Sequence, residues 1–89
     1  MAIDPKYGKV TTQFGAIGEN EPVVVFRGTD KVLPKLLAFY HLFCMREGSP
    51  RRHLDLIMNT RDLVMDWQKK NPSIVKVPTS ARSKEWLGE

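Results

Sequence analysis

The 89-residue sequence predicts an α+β fold: a short β-hairpin or strand pair packed on an antiparallel two-helix hairpin, with an extended C-terminal tail. Three observations predict it. The first thirty residues hold three glycines, two prolines and short β-branched runs ahead of Gly28. Apolar residues then recur with helical spacing through two segments that meet at Gly48-Ser49-Pro50. After Asn71-Pro72 the periodicity stops. The chain reads as one small domain, with 1–30 as loop and strands, 31–71 as a helical hairpin and 72–89 as an extended tail.

Lys9-Val10-Thr11-Thr12-Gln13-Phe14 has strand composition, and Gly15 to Pro22 reads as a turn or loop. Val23-Val24-Val25-Phe26 is a continuous apolar run, which predicts a strand covered on both faces. Thr29 and Asp30 are N-cap residue types. Pro34 favours a start between Lys31 and Leu33, preceded by a turn at Gly28-Thr29-Asp30, because proline suits only the first helical turn. Leu33, Leu36, Leu37, Tyr40, Phe43 and Cys44 then mark one helical face, with Val32, Phe39 and Leu42 as a second apolar strip. Gly48 ends this helix.

Ser49 as N-cap and Pro50 as first residue predict a second helix from Pro50 to Lys69. Its apolar sectors hold Leu54, Ile57, Met58, Val64, Met65 and Trp67, with Leu56 and Leu63 toward another side. Lys84 to Leu87 has the composition of one helical turn. Two apolar faces per helix exceed what a chain this short covers by itself. Phe39, Leu42, Leu56 and Leu63 are therefore the candidate surface of a homo-oligomer, unless strands and tail cover them.

Fourteen Lys and Arg against ten Asp and Glu give a net charge of +4. Residues 31–70 hold eight of the bases and four of the acids, so the excess sits on the helical hairpin. This balance favours phosphate-bearing partners, nucleic acid among them, but no run of like charge forms a polybasic arm. One cysteine excludes an internal disulfide framework and fits a reducing cytoplasm. No apolar run reaches the ~20 residues of a membrane span, and Met1 to Tyr7 lacks the apolar stretch of a secretory signal.

The sharpest local feature is Phe26-Arg27-Gly28-Thr29-Asp30-Lys31, between a strand and a helix. A helix N-terminus attracts anions and glycine lets the backbone approach a ligand. Arg27 and Lys31 supply positive charge, Thr29 a hydroxyl, and Asp30 an acceptor for a ribose hydroxyl or base amine. The competing reading is structural: Arg27 pairs with Asp30 or Asp55 and Thr29 caps the helix. Arg51, Arg52 and His53 crowd the positive end of the second helix, an unfavourable placement unless a partner uses it. With the Arg27 to Lys31 element they form the candidate ligand-binding set.

Catalytic and metal readings are weaker. Cys44 with His41 sits among Leu and Phe, so a core cysteine is favoured over a thiolate nucleophile. His41, His53 and Asp55 follow no metal-ligand spacing, and no metal or other cofactor is expected. Asp62 and Asp66 read as surface charge partnered by Arg61, Lys69 and Lys70. Helix-Gly-helix invites a helix-turn-helix comparison, but Arg51 falls where an apolar residue is usual and the second helix is long for recognition.

Glu21 to Asp30, the helix opening at Leu33-Pro34, Gly48-Ser49-Pro50, Trp67-Gln68 and Asn71 to Pro78 together resemble a group of small accessory proteins of tailed phages infecting actinobacteria. In that group the strand ends Phe-Arg-Ala-Gln-Asp; here Gly28 and Thr29 replace the middle pair. The resemblance spans roughly residues 7–80 and names no activity. It implies a phage-encoded protein of the host cytoplasm. The residues themselves, through the surplus apolar helix faces, the Arg27–Lys31 and Arg51–His53 elements and the basic hairpin, leave three binding functions: a homo-oligomer sequestering an anionic small ligand such as a host cyclic-nucleotide immune signal, an inhibitor docking a helix face on a host protein, or a small basic DNA-binding protein. An enzyme is not expected, since no nucleophile–base pair or metal set is found.

Overall fold

A computed structural model of the chain describes residues 1–79. The fold is α+β: a two-stranded antiparallel sheet and two helices that pack on each other. In order these are β1 (Ala2–Asp4), β2 (Gly8–Val10), α1 (Leu33–Arg46), α2 (Arg51–Lys70) and a 3-10 turn at Pro72–Ile74. The described chain divides into two compact units, one of Met1–Phe26 with Thr79 and one of Arg27–Pro78. Arg27 to Asp30 therefore belongs with the helices.

In the first unit the strands lie earlier than the sequence suggests. β1 and β2 pair with Ala2 opposite Val10 and Asp4 opposite Gly8, across the three-residue loop Pro5-Lys6-Tyr7. The cause is a side chain. Asp4 is buried, and its Oδ1 accepts the N–H groups of Lys6 (2.7 Å) and Tyr7 (2.6 Å), which closes the loop. Its Oδ2 accepts the N–H of Val25 at 2.6 Å. The other edge of β1 meets residues 21–23: Ile3 N–H donates to Glu21 O and Val23 N–H to Ile3 O, both at 3.0 Å. This parallel contact is a single bridge, Ile3 to Pro22, because the next N–H goes to the Asp4 carboxylate instead of a strand carbonyl. Val23 to Phe26 is thus extended but not a strand covered on both faces; Val24 is 70% exposed and Phe26 51%. Thr11 to Phe14 likewise lies beyond β2, and Phe14 is exposed.

The second unit follows the predicted helical hairpin closely. α1 starts at Leu33, with Pro34 in the first turn, where its missing N–H costs nothing. The N-cap is Val32, not Thr29 or Asp30; Asp30 acts one step earlier, its Oδ1 accepting the Val32 N–H at 2.8 Å in the turn that leads in. At the far end Gly48 (φ +86°) takes the left-handed conformation glycine permits. Its N–H donates to Met45 O at 3.2 Å, and Ser49 N–H donates to Cys44 O at 2.9 Å, the two bonds of a Schellman cap. Ser49 is thereby committed to ending α1. Pro50, extended at ψ 151°, becomes the N-cap of α2 in its place and shifts that helix one residue downstream.

The buried side of α1 is narrower than its apolar pattern. Leu33 is buried and Leu37 and Cys44 half-buried, whereas Leu36, Tyr40 and Phe43 are exposed. α2 buries Ile57 and half-buries Leu54, Met58 and Val64, leaving Met65 and Trp67 partly open. One partner helix covers only one arc of α1. Polar groups share that arc: His41 and Arg61 are half-buried, and Arg61 Nε finds no acceptor among the described residues. After the 3-10 turn, which interrupts the predicted extended tail, Lys76 bridges to Asp30. The proposed turn at Lys84 to Leu87 lies outside the described residues. No described helix is long and apolar enough to cross a membrane.

Candidate functional site

The Arg27 to Lys31 element is fixed from two directions. From α2, the Gln68 side-chain amide donates to Gly28 O (3.0 Å) and Asp30 O (2.8 Å). From the returning chain, Lys76 N–H donates to Thr29 O (3.0 Å) and accepts from Lys31 N–H through its carbonyl (2.9 Å). Gly28 lies flat against the Trp67 indole: a Cβ there would stand 3.3 Å from the ring carbon Cε3. Any side chain there would press the ring back by a few tenths of an ångström. Gly28→Val should cost about 1–3 kcal/mol of stability, since the added carbons press on the ring. Urea unfolding of the variant checks this; a midpoint equal to wild type would show that the ring yields freely.

This packing leaves an open groove of about 520 Å³ beside the element. Leu63, Val64 and Trp67 form its apolar wall, and Arg27, Thr29, Asp66 and Lys70 its polar rim. Lys70 Nζ lies 3.1 Å from Asp66 Oδ2, an exposed i,i+4 pair that contributes little stability and is readily redirected to a ligand. The groove thus offers two cations, one carboxylate and a half-exposed aromatic edge.

The helix N-terminus plays no part in it. The Val32 N–H is taken by the Asp30 carboxylate and the Leu33 N–H by Asp30 O at 3.1 Å. Asp30 occupies the position an anion would take, so anion attraction here rests on side chains. Lys31 faces a separate groove of about 480 Å³ with Pro34, Met65 and Lys69. Arg51, Arg52 and His53 lie at the opposite end of the hairpin, roughly 20 Å away along the 14 residues of α1. There Arg51 pairs with Asp55 at 3.3 Å, and the His53 ring meets Tyr40 edge-on at 6.2 Å. The structure does not bring these three residues to Arg27. No ion pair joins Arg27 to Asp30 or Asp55 among the described residues.

Trp67, Gln68 and Lys70 were not assigned to this site by sequence. The available signal was the i, i+4, i+7 spacing of Leu63, Trp67 and Lys70, which puts an aromatic and a cation on one exposed face. Of the proposed oligomer residues, Phe39 (58%), Leu56 (59%) and Leu63 (71%) are exposed, and Leu42 is half-buried. The neighbouring, half-buried Cys44 thiol pushes the Tyr40 hydroxyl above the usual tyrosine range. Among the described residues no cluster of His, Cys, Asp and Glu is arranged to hold a metal ion. Comparison with protein-family models, curated proteins and solved structures finds no match.

Proposed function

We propose that this chain is a non-enzymatic phage accessory protein of the host cytoplasm that binds an anionic small ligand in the groove between Arg27-Gly28-Thr29 and the last turns of α2. The observation that supports this reading is the placement of Arg27 and Lys70 around the open side of Trp67. A ligand with a phosphate and a planar ring suits such a groove. Its phosphate takes charge-assisted bonds from Arg27 and Lys70, its ring packs on Trp67, and Asp66 accepts from a hydroxyl or an exocyclic amine. Cyclic nucleotides, the class of host immune signals, have these parts. Calorimetric titration with a panel of nucleotides and cyclic nucleotides tests the proposal. A binder should emerge whose affinity falls at least about tenfold in Arg27→Ala, the loss of one charge-assisted contact, with an unchanged circular dichroism spectrum. Wild-type protein that binds no member of the panel would overturn it.

A second reading, docking through the helix faces, is supported by a different observation. Only Ala2, Leu33 and Ile57 are fully buried apolar residues among those described, while Phe39, Phe43, Leu56 and Leu63 are each more than half exposed. A surface of this kind suits a macromolecular partner. The partner is a second copy in the homo-oligomer reading and a host protein in the inhibitor reading.

A further inference from the structure

We infer that the groove beside Arg27 selects guanine among the nucleobases, with the Asp66 carboxylate as the group that reads the base. This deepens the ligand-groove reading and rests on it. The α2 side of the groove runs from Leu63 to Lys70, roughly 10 Å along the helix. Leu63 comes first, Asp66 and Trp67 share the next turn, and Lys70 closes the end. A planar ring packed on Trp67 lies at the level of Asp66 along the helix, with its edge toward the polar rim. Arg27 and Thr29 reach the groove from the segment before α1, where they take the phosphate and a sugar hydroxyl. That leaves the base edge to Asp66, the one acid among the described residues that line the groove.

The hydrogen-bonding capacity of Asp66 decides which base. Its Oδ2 lies 3.1 Å from Lys70 Nζ, and its Oδ1 has no partner among the described residues. Both side chains are exposed, so the pair exchanges partners at little cost: the ammonium turns to the phosphate, and both carboxylate oxygens face the base. An ionised carboxylate only accepts, so it needs two donors side by side. Among the common bases only guanine presents them, at N1–H and the N2 amine. Adenine sets its N6 amine beside a bare N1, and cytosine its N4 amine beside a bare N3. Uracil holds its single N–H between two carbonyls. Each of these three turns a lone pair toward a carboxylate oxygen, a repulsive contact that guanine avoids. Hypoxanthine keeps the N1–H but lacks the N2 amine, and so loses one of the two bonds.

Calorimetric titration of the full chain with the 3′,5′-cyclic monophosphates of guanosine, inosine and adenosine tests this. Wild-type protein should bind the guanosine compound at least about tenfold more tightly than either of the others. Asp66→Asn puts one acceptor and one donor side by side, the complement of adenine N6 and N1. The ratio of guanosine to adenosine affinity should therefore fall to one or below in this variant, with the circular dichroism spectrum unchanged. Loss of the negative charge strengthens the binding of every phosphate alike, so the ratio between bases, free of that effect, is the readout. An inosine or adenosine compound bound by wild type as tightly as the guanosine one would overturn the inference. So would a guanosine preference that survives Asp66→Asn. Either result leaves the groove reading in place, because the ligand still binds. Wild-type protein that binds none of the three would overturn the inference, and the wider nucleotide panel then decides the groove reading separately.

Discussion

Ile57→Ala should cost about 2–4 kcal/mol, the largest loss expected from a single truncation in the hairpin. Ile57 is the one fully buried side chain of α2, at 4% exposure, and lies on the arc that meets α1. Removing its outer carbons loses transfer free energy and leaves a void that flanking Leu54 and Val64 only partly refill. A chain of this size has a total stability of roughly 4–13 kcal/mol, so the variant gives up a large share of it. Urea unfolding at fixed protein concentration should show a lower midpoint with an unchanged slope. Leu63→Ala is the contrast. At 71% exposure it should change a lone hairpin by less than about 0.5 kcal/mol, whereas in a dimer its cost grows with protein concentration. An Ile57→Ala midpoint equal to wild type would mean that α1 and α2 do not share a packed seam.

The helices were legible because their signals are local. Pro34 fixed the start of α1 and Gly48 its end, through backbone rules that need no distant partner. Ser49 misled by one residue because its backbone N–H had already been claimed by Cys44 O. The strand pair was legible as an element but not in its position. Three-residue strands carry almost no periodicity, and their position is set by what the Asp4 carboxylate gathers from residues 2, 3 and 21 positions away. Val23 to Phe26 had the composition of a strand, but among the described residues no neighbouring backbone extends a ladder to it. The candidate site was half legible. Arg27 to Thr29 were singled out by sequence, but their partners Trp67 and Gln68 lie about forty residues on, and nothing local links them. The surplus apolar faces were legible as an excess; which of them point outward depends on the phase of the α1–α2 contact, which the pattern alone left open.

Asp4 sets the second large effect, confined to the first unit and visible as a dependence on pH. Burial pushes its carboxyl up, but hydrogen bonds from the N–H groups of Tyr7, Val25 and Lys6 outweigh this and hold it below its ordinary value of 3.8. Because the folded value is depressed, the carboxylate's contribution to stability is complete above 3.8 and is lost as pH falls through the folded value. Acid should therefore release the Lys6, Tyr7 and Val25 amides to hydrogen exchange only below the ordinary aspartate range. Asp4→Ala should release all three at neutral pH, with protection falling at least about tenfold, because each loses a charge-assisted acceptor. Asp4→Asn separates the two jobs of the side chain. Its one carbonyl oxygen still accepts from Lys6 and Tyr7 and keeps the β1–β2 loop, while the amide nitrogen faces the Val25 N–H and cannot accept from it. Loss of protection at Val25 with Lys6 and Tyr7 retained is the expected pattern. Equal loss at all three would show that the charge, and not the geometry of its two oxygens, organises the unit.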